Sequence, residues 1–360
     1  MACGGTVKVY VFPSDGHGCG HYRMIWPADV LRKSGHDVII MPPKRDTGFM
    51  VKVKEDIHGN QILTSTTVPE DADVIVLQRP AHPLQPQVIR ALRANKIAVV
   101  VDMDDDMSSI HPDNIAFQTY RPSTPNPLSW RHALESCKEA TLVTTSTSTL
   151  QRVYAKHGRG VVVDNFVPAA YLRFPQHESG TFGWAGTTKS HPNDLQITRG
   201  AVQRLMDEGH RFQVVGGRSQ VKACLRLKDD PSCTGSIELS EWARVIGESL
   251  DVGMVPLAPT SFNTSKSRLK GIEYMAVGVP WVGSPREEYR RLHRESGCGL
   301  LADGPKDWYA KLKLLLTDDV LRKEQVEAGR EFMQDQTYQA NAWRWWEAWT
   351  RALEIERGRR

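Results

Sequence analysis

No apolar run in the 360 residues approaches the length a bilayer-crossing helix needs. The first residues, MACGGTVKVYVFPSDG, enter a strand-like run without the apolar core of a signal segment, so a cytoplasmic location is the expectation. Six cysteines, at positions 3, 19, 137, 224, 233 and 298, show no CxxC or Cys/His spacing, which argues for free thiols and against disulfides or structural zinc. Charge of one sign is also lacking. The net charge is +4, and up to Asn165 there are 18 Lys+Arg against 17 Asp+Glu, so there is no domain-wide basic field of the kind that grips nucleic-acid phosphates. The best local basic stretch is KRDTGFMVKVK, with Lys44, Arg45, Lys52 and Lys54, and a solvated hairpin explains it equally well. GxSxG, P-loop and kinase patterns are absent, as are solenoid repeats and low-complexity tracts.

What is present is an ordinary folded composition, 40% hydrophobic and 24% charged, on a chain long enough for two domains. Strand-like runs alternate with helical ones, the pattern of a parallel α/β fold. VKVYVF, DVIIMPP, DVIVLQRP, KIAVVVDMDDDM, TLVTTSTS and GVVVDNFVP are the strand runs of the first half, with a hairpin between 50 and 66. A connector over 166–180 leads to a second series, TFGWAG, RFQVVGG, DVGMVPL, PWVGS and GLLAD. The last helix, NAWRWWEAWTRALEIERGRR, carries four tryptophans, which are costly to leave in water, so it is expected to pack back across the first domain.

Four segments carry polar groups at strand ends, where open parallel sheets bind ligands. SDGHGCGHYR offers Gly16, Gly18 and Gly20 with His17, His21 and Arg23. Its G-x-G-x-G spacing, with no acidic residue ending the next strand, disfavours a nicotinamide cofactor. VVVDMDDDM places Asp102, Asp104, Asp105 and Asp106 where four carboxylates need cations, donors or a raised pKa; no partner with metal-ligand spacing accompanies them. GWAGTTKSHPNDLQ supplies Gly183, Gly186, Lys189 and His191, with Asn193 or Asp194 as possible caps. FNTSKSRLKGIEYMAVGVP spaces Lys266, Lys270 and Glu273 by four and three, one face of a single helix, with Asn263, Thr264 and Ser265 as caps. Two ammonium groups at a helix start suit a phosphate, while a solvated amphipathic face is the bland reading.

In order and spacing these segments resemble the GT-B glycosyltransferases of group 1, the family 4-like type. The strongest match is FN..KS..K..EY.A.G.P; GCGHYR with PADVLRKSGHDV, VDMDDDM, TTSTSTLQRVYAKHG with VVVDNFV, and TFGWAGTTKSHPNDL accompany it, and together they cover most of residues 6 to 335. The resemblance implies two Rossmann-like α/β domains facing across a cleft: 1–168 for the acceptor, 169–338 for the nucleotide-sugar donor, and 339–360 as a helix returning to the first. It implies that Lys266 and Lys270 meet the donor diphosphate, with Ser267, Asn263, Lys189 and Gly186 contributing, and that Glu273 matches the second glutamate of the EX7E motif, at the ribose. Ser265 stands where the first glutamate belongs, which leaves the sugar unassigned. Gly18, Gly20 and Arg23 would line the cleft loop, and Asp102, Asp104 and His21 would act at the acceptor. The expected reaction is transfer from a nucleotide-diphosphate sugar, with retention, without a metal or other cofactor. Its acceptor would be a hydroxyl on a macromolecule: a hydroxymethylated DNA base, a glycan or a protein. A sugar-nucleotide epimerase and a non-catalytic sugar-nucleotide binding module are the alternatives.

Overall fold

The computed structural model describes residues 6–43, 46–120, 129–174 and 180–358, so Cys3, Lys44 and Arg45 lie outside the described residues. The chain divides into two compact units, one of residues 1–110, 116–165 and 338–360, the other of residues 111–115 and 166–337. Residues 111–115, expected in the first domain, therefore cluster with the second. Among the described residues no helix is long and apolar enough to cross a membrane.

The described residues of the first unit form eight strands: β1 (Lys8–Phe12), β2 (Asp37–Ile40), β3 (Val51–Glu55), β4 (Gln61–Thr66), β5 (Val74–Gln78), β6 (Ala98–Met103), β7 (Leu142–Thr145) and β8 (Gly160–Val162). Six form a parallel sheet in the order β2-β1-β5-β6-β7-β8, and β3 and β4 pair antiparallel as the expected hairpin. β5 and β6 are buried along their whole length, which is why their sequences are apolar runs rather than alternations. The order reverses direction at β1 and β5, making their carboxyl ends the switch point of this sheet.

The helix after β1 has an unusual start. His21–Ile25 form a π turn, after which Trp26–Lys33 continue as α-helix. The Trp26 N–H donates to the carbonyl of His21, and Pro27 has no N–H, so the carbonyls of Tyr22 and Arg23 lose their ordinary helical partners. The closing segment of the chain supplies both: Tyr338 Oη donates to Tyr22 O at 2.6 Å and Trp345 Nε1 to Arg23 O at 2.9 Å. The Trp343–Arg357 helix thus packs on the first unit, with Trp345 and Trp349 fully buried and Glu356 taking hydrogen bonds from Arg93 and Thr141. Tyr338→Phe should strand the Tyr22 carbonyl and lower stability by about 1–2 kcal/mol, read as a lower midpoint in urea denaturation.

The second unit contains β9 (Thr181–Ala185), β10 (Arg211–Val215), β11 (Ser232–Cys233), β12 (Val252–Val255), β13 (Trp281–Gly283) and β14 (Leu300–Leu301), all parallel in the order β11-β10-β9-β12-β13-β14. Its switch point falls between β9 and β12. The core packs Phe182, Trp184, Val214, Met254, Trp308 and Leu312 from the sheet and its covering helices.

Candidate active site

At the β9/β12 switch point the expected donor residues assemble, but not as one helix. Residues 261–276 form two helices, Ser261–Thr264 and Leu269–Ala276, with Lys266 in the link between them. Thr260, not the expected cap residues, caps the first by accepting from Asn263 N. Ser265 Oγ turns back to Phe262 O, and Asn263, buried, donates its amide to Asp194 Oδ1 at 2.6 Å and to Ala258 O at 3.1 Å. Asn263 therefore acts as scaffold for the site, since its amide protons are spent inside the protein.

Lys270 lies on the second helix and donates Nζ to the carbonyl of Ala185, the last residue of β9. One turn on, Tyr274 Oη accepts from Ala185 N at 2.9 Å, so residues four apart hold both polar groups of one strand-end residue. An ammonium has three N–H bonds, and among the described residues only the Ala185 carbonyl takes one from Lys270, which leaves two for a ligand. Burial pushes its pKa below the usual lysine value; Glu273 opposes this and Lys266 adds to it. Lys266 sits 4.4 Å from the Phe262 ring centroid. Ser267 is partly exposed just before the second helix. Glu273 is buried and accepts from Trp242 Nε1 at 3.0 Å, a partner the sequence did not suggest.

The loop after β9 completes this group. Gly186 leaves the strand end, and a Cβ on Gly216, after β10, would lie 2.5 Å from the Gly186 carbonyl, so the two strand ends approach through glycine. Lys189 is exposed and makes no ion pair among the described residues. Its carbonyl accepts from Ile115 N at 2.9 Å, and Ser190 O accepts from Asn114 Nδ2 at 2.9 Å, so residues 111–115 pin the loop. Asp194 is no helix cap: Oδ1 takes the Ala258 N–H at 2.8 Å as well as Asn263, and Oδ2 faces His191 Nδ1 at 3.2 Å. A groove of about 510 Å³ lined by Thr181, Phe212, Asp230 and Glu248 opens at the amino ends of β9 and β10, the end away from these groups.

In the first unit the predicted residues fall into two sets. Arg23, expected on the cleft loop, and Asp102, expected at the acceptor, are both fully buried. Arg23 Nε and Nη2 grip Asp102 at 3.1 and 2.7 Å, Nη1 donates to Val163 O and Asn165, and Thr144 Oγ1 donates to Asp102 at 2.7 Å. The pair is internal scaffold: the π turn aims Arg23 inward at the end of β6. Gly20 is likewise structural, since a Cβ there would come within 1.8 Å of Asp15 O; Gly18 faces open space. His21 is partly exposed, with Nδ1 2.9 Å from His17 O.

Asp104, just past β6 with 10% of its side chain exposed, is gripped by Arg79, whose Nη2 is 2.7 Å from Oδ2, 3.1 Å from Asp105 Oδ2 and 3.2 Å from Cys19 Sγ. Burial pushes the Asp104 carboxyl up, against the pull of the Arg79 charge. Arg79 follows β5 at the switch point and has φ 47°, an uncommon conformation for arginine and for a residue before proline. The available signal for it was a cation directly after an apolar strand. Among the described residues no cluster of three or more His, Cys, Asp or Glu could hold a metal.

Residues 179–318 match the family described as Glycosyl transferases group 1. No curated protein matches the sequence. Among solved structures, sucrose-phosphate synthase from Thermosynechococcus elongatus superposes with TM-score 0.64 at 14% identity, covering 96% of this chain and 98% of that one. A glycosyltransferase from Rickettsia africae gives 0.64 at 13% identity, with 97% and 99% covered. HepE of Anabaena, solved with UDP, gives 0.59 at 12% identity, with 96% and 100% covered. Residues 179–318, which hold the β9/β12 switch point, thus match a group 1 glycosyltransferase domain, and the chain has the GT-B fold of these solved structures.

Proposed function

We propose that the enzyme transfers a sugar from a nucleotide-diphosphate donor, a UDP-sugar, to a hydroxyl on a macromolecule, with retention at the anomeric carbon. The observation that carries the donor reading is the convergence of Lys266 and Lys270 with the Gly186 loop at the β9/β12 switch point, within the matched family domain. What supports uridine as the nucleotide is that HepE, a protein of the same fold, was solved with UDP and with UDP and glucose.

As the bond between C1 and the diphosphate oxygen breaks, the electron pair stays on the diphosphate. Lys270, tied to the Ala185 carbonyl, is in place before that charge appears, with the Lys266 charge near it, which is how preorganised cations lower a barrier. The acceptor oxygen bonds to C1, and its proton passes to the departing phosphate oxygen. Asp104, held by Arg79, is the carboxylate we assign to positioning the acceptor hydroxyl; Asp102 is too deeply buried to reach it.

The test is UDP release from UDP-glucose and UDP-N-acetylglucosamine with hydroxymethylated DNA, a glycan or a protein as acceptor, followed by NMR of the product's anomeric configuration. Release that requires one acceptor, with the donor configuration kept, supports the reading. UDP released equally without acceptor would favour donor hydrolysis or epimerisation, and an inverted product would overturn retention.

A further inference from the structure

His191 is fixed by two neighbours, Asp194 and Trp184. Its Nδ1 faces Asp194 Oδ2 at 3.2 Å, and Asp194 is itself held at Oδ1 by Ala258 N and the Asn263 amide. The edge of the ring packs against Trp184, with centroids 6.1 Å apart and planes at 88°. A carboxylate only accepts, so Nδ1 carries the proton and the neutral ring presents Nε2 as an acceptor. Nε2 has no hydrogen-bond partner among the described residues, and 20% of the side chain is exposed.

We propose that His191, oriented by Asp194, is a specificity-determining residue of the donor site, its Nε2 accepting a hydrogen bond from a hydroxyl of the bound sugar. This rests on the reading of Lys266 and Lys270 as the diphosphate site. A phosphate oxygen needs a donor, which Nε2 in this tautomer is not, whereas a sugar hydroxyl supplies one. The charged groups around the ring are Asp194 on its own loop and Lys270 and Lys266 on the 261–276 segment. Burial lowers the ring's pKa, Asp194 opposes this, and the two lysines add to it, so the ring is neutral at pH 7.

The experiment is calorimetric titration of the full chain with UDP and UDP-glucose, or with GDP and GDP-mannose if that nucleotide binds better. His191→Phe should leave the nucleotide diphosphate's affinity within about twofold and weaken the sugar nucleotide by about fivefold to tenfold, one hydrogen bond's worth. His191→Gln, whose amide oxygen falls near the Nε2 position, should recover part of the loss. Lowering the pH from 8 to 5 should weaken the sugar nucleotide relative to the diphosphate in the unmodified enzyme but not in His191→Phe. Equal loss for both ligands, or none for either, would overturn the proposal while leaving the diphosphate site standing. An unmodified chain that binds neither nucleotide would overturn the diphosphate reading and the role of His191 with it.

Discussion

Lys270→Ala is expected to lower kcat/KM by about 100-fold to 1,000-fold, the range seen when one preorganised group facing developing charge is removed. The physical reason is placement: Lys270 Nζ is tied to the Ala185 carbonyl, so the ammonium is held at the strand end before any diphosphate arrives. Removing it also releases a tie to β9, and Tyr274→Phe serves as the control. That variant loses the hydroxyl's hydrogen bond with Ala185 N while keeping the cation, and should show a stability loss with kcat/KM nearly unchanged. If Tyr274→Phe cost as much activity as Lys270→Ala, the lysine would be holding the strand rather than meeting charge. Lys266, in the link between two helices and against Phe262, should show a smaller loss on the same substitution.

The lowered pKa of Lys270 fixes the direction of two pH trends. Between its folded value and the ordinary lysine value the unfolded chain binds more protons, so the ligand-free enzyme gains stability from this group as pH rises through that window. Diphosphate affinity runs the other way, falling as the ammonium is lost at a lower pH than an ordinary lysine would give. Opposite slopes from thermal melts and nucleotide titration across the alkaline range would identify a buried cation that its ligand recharges.

The strands were legible because both sheets are parallel and buried: runs such as KIAVVVD have no solvent face to break them. Helix continuity was harder to read. The Lys266, Lys270 and Glu273 spacing fits one helix, yet the segment breaks between Thr264 and Leu269, where Arg268 buries its guanidinium against Glu295 and the Phe332 ring. Residues 195–207 likewise form two short helices, Leu195–Thr198 and Ala201–Asp207, with Gly200 at φ 79° between them. The Glu287–Ser296 helix has a weak sequence signal because it is mostly charged, burying Tyr289 and Leu292 as its apolar anchors. Burial of ions was the least legible property. Nothing local in GCGHYR distinguishes an arginine that faces a ligand from one turned inward by a π turn onto a carboxylate 79 residues away.

Asp102→Ala is expected to destabilise the first unit by about 3–5 kcal/mol, because it leaves the Arg23 guanidinium buried without its counter-charge. Val163 O and Asn165 would still accept from Nη1, but Nε and Nη2 would lose both acceptors, and Thr144 would lose its own. Replacing both partners, Arg23→Met with Asp102→Leu, should recover much of the loss, since the cost of burying the ions disappears with them. Asp104→Asn is the contrasting variant: Arg79 keeps Asp105 and Cys19 as neighbours, so stability should change little while the acceptor KM rises. Urea denaturation and steady-state kinetics on the two variants separate the roles. A stable Asp102→Ala protein with turnover abolished would mean that this carboxylate, despite its burial, reaches the substrate.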